Sequence, residues 1–105
     1  MVSLNRIVMQ KSTRRWIEAL EPETLDTAEI SGKFGRRFVF RSYTQFRYPK
    51  HDICTGPFTD ATGAVQQFDL IIANQVWEHL DRPYAATRHV REMLRADGWF
   101  WLAVP

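Results

Sequence analysis

Two short stretches carry the side chains with the most chemical reach. AEISGKFG, residues 28–35, sets Glu29 ahead of Ser31, Gly32 and Gly35. Glycine has no side chain, so such a loop lets backbone approach a ligand closely. The same stretch also reads as a strand that ends in an ordinary glycine turn. Further on, Asn74, Gln75, Glu78 and His79 follow the apolar run FDLIIA. Glu78 and His79 are a proton donor and acceptor suited to general acid–base work, and the two amides can meet the polar groups of a ligand. The plainer account of Glu78 and His79 is a capped turn or a satisfied structural contact.

Other chemistries find little to work with. Cys54 is the single cysteine, so no intrachain disulfide forms and a cysteine-based zinc site is not expected. His51, His79 and His89 lack ligand spacing. No nucleophile elbow, phosphate loop or Cys–His pairing is present. Trp16, Trp77, Trp99 and Trp101 are better read as core than as stacking platforms, with Trp77 the one nearest the candidate site.

These residues need elements to hold them. Leu4 to Leu20 reads as a helix, with Leu4, Ile7 and Val8 in one apolar cluster and Thr13, Trp16, Ile17 and Leu20 in another, and Pro22 ends it. Thr27 to Ser31 reads as a strand, and Phe38 to Phe46 as a second. His51 to Cys54 is a brief extended piece, and the Gly- and Pro-containing stretch Thr55 to Gln67 is a loop. Phe68 to Ala73 has the near-continuous apolar composition of a strand buried on both faces of a parallel sheet. Asp81 is placed to cap a helix with Pro83 in its first turn. Ala86, Val90, Met93 and Leu94 share one face, and Arg88, His89, Arg91, Glu92 and Arg95 lie outward. Asp97 and Gly98 read as a left-handed helix cap, after which Trp99 to Val104 is another doubly buried strand. The alternation predicts an α/β domain with a parallel sheet of about four strands. In such a sheet ligands sit beyond the carboxyl ends of the strands, which gathers residues 32–35, the segment after Phe46, and residues 74–79 around one crevice.

The chain has 105 residues and a mass of 12.4 kDa, enough for a single domain. No apolar run reaches membrane-spanning length, and residues 1–10 lack the core of a secretion signal. With the lone cysteine, this points to a cytoplasmic protein. The net charge of +2 is uneven: residues 1–52 carry +4 and residues 53–105 carry −2. Lys33, Arg36, Arg37, Arg41, Arg47 and Lys50 are interrupted by apolar residues, so a solvated face is expected and a nucleic-acid site is not.

From Phe68 to Pro105 the chain resembles the class I S-adenosylmethionine-dependent methyltransferases, of the type 11 kind. Phe68 and Asp69 open the apolar strand, Glu78, His79 and Leu80 match an EH(L/V) segment, and Pro83, Leu94, Gly98 and Pro105 follow in order. Asp97 stands where a glycine is usual. Glu29, Gly32 and Gly35 resemble that family's E/D-x-G-x-G-x-G loop, with Ser31 in place of a glycine. The resemblance implies a three-layer Rossmann-like fold and the cofactor S-adenosylmethionine, held by Glu29, Ser31, Gly32, Gly35, Asp52, Asn74 and Gln75. It implies His79 or Glu78 as a base where the acceptor must lose a proton. Asp52 matches an aspartate near the adenine, and also reads as a turn aspartate capping residues 53–55. Only a few residues replace the family's helix between the loop and the second strand. Tyr43, Thr44 and Gln45 stand where an acid for the ribose is usual.

The family's sheet continues past the strand matching Trp99 to Val104, whereas this sequence stops at Pro105. An open apolar edge invites association, so a homodimer through Trp99 to Val104 is expected. Three functional readings follow: a minimal methyltransferase, a degenerate module of the same fold that works by association, and a basic surface for nucleic acid.

Overall fold

The computed structural model describes residues 14–104. Helix α1 covers residues 14–19 of that range; the expected cluster of Leu4, Ile7 and Val8 lies outside the described residues. Four strands follow: β1 (Asp26–Ile30), β2 (Ser42–Phe46), β3 (Phe68–Asn74) and β4 (Leu94–Ala103). Helix α2 (Pro83–Met93) joins β3 to β4. The strands form one sheet in the order β2-β1-β3-β4, every pair parallel. The fold is therefore α/β with a four-stranded parallel sheet, as the alternation predicts.

The alternation of side chains along each strand sorts the core onto two faces. Ile71 and Ala73 of β3 join Ala28, Ile30 and Phe46 under α2, which contributes Ala86, Val90 and Met93. Leu70 and Ile72 point the other way, to Ile17 of α1 and Phe34. FDLIIA is apolar throughout because both faces are covered. Trp77 belongs to the first cluster, with its indole N–H donating to Thr87 Oγ1 at 3.0 Å and its ring 5.0 Å from Phe100.

Several local expectations are corrected by tertiary contacts. The second strand is shorter than predicted: Phe34–Arg37 is a single 3-10 turn and only Ser42–Phe46 pairs with β1. His51 to Cys54 is turn rather than extended chain. The N-cap position of α2 falls on Arg82 rather than Asp81, and no side-chain capping bond is made there. Asp97 and Gly98 do not cap a helix: α2 ends at Met93, and both residues lie in β4. Between the pairs Phe68–Leu94 and Leu70–Trp99 the register shifts, so residues 95–98 bulge from the ladder. Gly98 fits there because a Cβ would sit 3.0 Å from Arg95 O and 3.2 Å from Asp69 O.

The bulge delivers Arg95 to a four-charge cluster at the amino ends of β1 and β3. Arg95 Nη1 donates to Asp26 Oδ2 at 2.8 Å and Asp69 Oδ2 at 2.9 Å, while Arg41 reaches both acids from the other side. Asp69 also accepts the Asp26 N–H at 2.8 Å. The aspartate beginning the buried strand thus ties β1 to β3 at the end of the sheet opposite the crevice.

β4 is an edge strand and is only half covered. Phe100 packs on Trp77, and Trp101 stacks on Phe34 with centroids 5.8 Å apart. Trp99, Leu102 and Val104 remain 49 %, 43 % and 49 % exposed. Trp16 of α1 meets Trp99 edge-on at 5.3 Å.

Candidate functional site

The sequence order of the strands reverses at β1, since β2 lies on one side of it and β3 on the other. Doubly wound sheets open a crevice at such a switch point, beyond the carboxyl ends of the strands. The residues next after β1 and β3, Ser31 and Gln75, both adopt left-handed backbone with φ of 55° and 62°. Each first extends its ladder by one bond, Ser31 N–H to Phe46 O at 2.7 Å and Gln75 N–H to Ala103 O at 2.8 Å. The chain then turns away and leaves the strand ends open.

A crevice of about 420 Å³ fills that space, lined by Ser31, Tyr48, Asp52, Cys54, Gln75, Val76, His79, Leu80, Asp81 and Arg82. Four of the predicted site residues, Ser31, Asp52, Gln75 and His79, therefore share one cavity. Asp52 Oδ1 accepts the Cys54 N–H at 3.0 Å, and its carbonyl accepts the Thr55 N–H at 3.1 Å, so it shapes the turn as well as the crevice wall. His79 lies on a 3-10 turn, Trp77–His79, with its Nε2 3.6 Å from Glu78 Oε1 and its side chain 78 % exposed. Glu78 does not line the crevice.

Glu29 is fully buried, and its carboxylate organises the glycine loop. Oε2 accepts the Phe34 N–H at 2.9 Å, and Oε1 accepts the Gly35 N–H and the Tyr43 O–H, both at 2.6 Å. Burial, and after it the hydrogen bond to the carboxylate, pushes the Tyr43 phenol above its ordinary range. The glycines make room for this arrangement: a Cβ at Gly32 would lie 2.6 Å from Glu29 Oε2, and one at Gly35 2.5 Å from a Tyr43 ring carbon. The carboxylate thus satisfies the amides of Phe34 and Gly35, the first two residues of the 3-10 turn.

Glu29 and Asn74 line a separate pocket of 340 Å³ with Gly32, Lys33, Phe34, Arg36 and Arg37. Asn74 Oδ1 is buried there with no hydrogen-bond partner, a costly state for an amide oxygen. A carboxylate offers about four acceptor positions, and Glu29 uses three on the protein. Two residues lining this pocket thus carry buried oxygen acceptors, the chemistry an ammonium donor would need. For the cofactor that the resemblance implies, these acceptors are of the type its ammonium group would need.

Some lining residues escaped the site expected from the sequence. Tyr48 sits in a turn with no motif around it. Arg36 and Arg47 were visible only as scattered basic residues. His89, expected on the outer face of α2, is half-buried, with Nδ1 2.6 Å from Ile53 O; the loop before β3 folds onto that face.

A family model described as "Methyltransferase domain" matches residues 20–102. No curated protein and no solved structure matches the chain. The matched span takes in β1 to β3, β4 as far as Leu102, the Glu29 loop and the turn bearing Glu78 and His79, and on that ground the chain belongs to the methyltransferase domain family.

Proposed function

We propose that this chain binds S-adenosylmethionine across the crevice and the pocket lined by Asn74, which meet at the adjacent residues Asn74 and Gln75, and transfers the methyl group to an acceptor. The observation that supports this most is the unpaired, buried Asn74 Oδ1 beside the buried Glu29 carboxylate, at the open ends of β1 and β3. When bound, the cofactor would supply a methyl carbon activated by its sulfonium, open to displacement by an acceptor's electron pair with the bonding pair of the sulfur–methyl bond left on sulfur. Such displacement asks the protein mainly for alignment and exclusion of water. Asn74 and Glu29 hold the amino-acid end, Asp52 and Gln75 the nucleoside end. His79, on the crevice wall, takes the acceptor's proton where one must leave, and Glu78 beside it supports the resulting imidazolium.

Titration calorimetry with S-adenosylmethionine on the parent chain and Gly32→Val tests the site. A Val side chain meets Glu29 Oε2 at once, so binding should weaken sharply. Tight binding that ignores the substitution refutes the site. No binding at millimolar cofactor favours a second reading, a non-catalytic module of this fold that pairs with a second copy of itself. The exposed Trp99 and Leu102 on an edge strand, with Val104 just beyond it, support that alternative.

A further inference from the structure

A second cavity, of 530 Å³, adjoins the crevice through Ser31 and Tyr48, and its other lining residues are Gly32, Lys33, Arg36 and Arg47. Its chemistry is cationic. Arg36 is held in place by a neutral partner, its Nε and Nη2 donating to Gln45 Oε1 at 3.2 and 2.9 Å, while Gln45 Nε2 donates to Gly32 O at 2.7 Å. The guanidinium is oriented without being neutralised. Lys33 and Arg47 are exposed and form no ion pair among the described residues. Arg41 and Arg95, by contrast, are committed to Asp26 and Asp69; what sets Lys33, Arg36 and Arg47 apart from the other unpaired basic residues is that all three line one cavity. The acid under this loop, Glu29, is buried and already accepts three hydrogen bonds.

The location gives the charge its meaning. In nucleotide sites of doubly wound sheets, an acid beyond the second strand binds free ribose hydroxyls, whereas an arginine there accommodates a phosphate. Here β2 carries Gln45 near its end, and Gln45 presents Arg36. Tyr48, 72 % exposed, stands on the wall common to cavity and crevice and offers a ring face to a base. We propose that this cavity binds the phosphate of a nucleoside monophosphate, seated among Lys33, Arg36 and Arg47 with the base against Tyr48. The proposal rests on the crevice being a nucleoside site, as proposed above.

The test is calorimetry on the full chain at low salt with adenosine, adenosine 2′-monophosphate, adenosine 5′-monophosphate, inorganic phosphate and S-adenosylmethionine. At least one monophosphate should bind about tenfold tighter than adenosine, as one charge-assisted contact would give, and which one reports where the ligand carries its phosphate. Arg36→Gln and Arg47→Gln should each remove most of that advantage while leaving adenosine affinity and the melting temperature unchanged. Equal binding of adenosine and both monophosphates overturns the proposal, as does an advantage that survives both substitutions. Inorganic phosphate binding as tightly as the monophosphates overturns the nucleotide assignment. S-adenosylmethionine binding without a phosphate advantage defeats this site and leaves the methyltransferase proposal standing. A phosphate advantage without S-adenosylmethionine binding does the reverse.

Discussion

Ser31 and Gln75 occupy matching positions on neighbouring strands: each follows its strand directly, each has left-handed backbone, and both line the same crevice. Left-handed backbone costs a non-glycine residue roughly 1–2 kcal/mol, and such costs concentrate where a binding surface is built. Ser31→Gly should therefore stabilise the chain by about 1 kcal/mol, less the entropy glycine loses on folding. Urea denaturation measures it. A clear loss of stability would mean that the serine hydroxyl holds the loop.

Tyr43→Phe removes one of three donors to a buried carboxylate. Hydrogen bonds to charged groups contribute about 1.5–3 kcal/mol, so destabilisation of that order is expected from denaturation midpoints. Gly35→Ala should act at the same place through crowding, at about 1–3 kcal/mol, because its Cβ would lie 2.5 Å from the Tyr43 ring. The two substitutions share a partner and should not add.

The four-charge cluster makes stability depend on pH in a fixed direction. Hydrogen bonds from Arg41, then Arg95 and Ser42, hold the Asp26 carboxyl well below the usual carboxylate range. Its folded pKa is depressed, so its contribution is complete above the ordinary value of ~4 and is lost as pH falls below it toward the folded value. Melting temperature followed from pH 7 downward should drop below about pH 4, and Asp26→Asn should flatten that drop. An unchanged profile in the variant would assign acid sensitivity to other carboxylates.

Self-association through β4 is tested by light scattering at tens of micromolar protein. A dimer is expected, and Leu102→Lys, at an exposed position on the strand, should dissociate it. A 12.4 kDa particle for the parent chain would instead mean that Trp16 and α1 shield the edge sufficiently.

What the sequence determined by itself is what local composition and period encode. FDLIIA declared a strand covered on both faces, the apolar stripe of Ala86, Val90 and Met93 declared α2, and their alternation declared a parallel sheet. From these the gathering of Gln75 and His79 with the segment after Phe46 at one end of the sheet followed, since strand ends and the turns after them are local. Tertiary structure decided whatever depends on partners remote in sequence. Asp97-Gly98 carries the local signal of a helix cap, yet pairing with β3 extends β4 back to Leu94 and carries Arg95 to Asp26, 69 residues away. Helical periodicity turned His89 outward, but the Ile53 carbonyl arrives from another segment. Gly32 and Gly35 read as space left for a ligand. Only the fold shows Glu29 and Tyr43 in that space, because a buried carboxylate must recruit donors wherever the packed chain brings them.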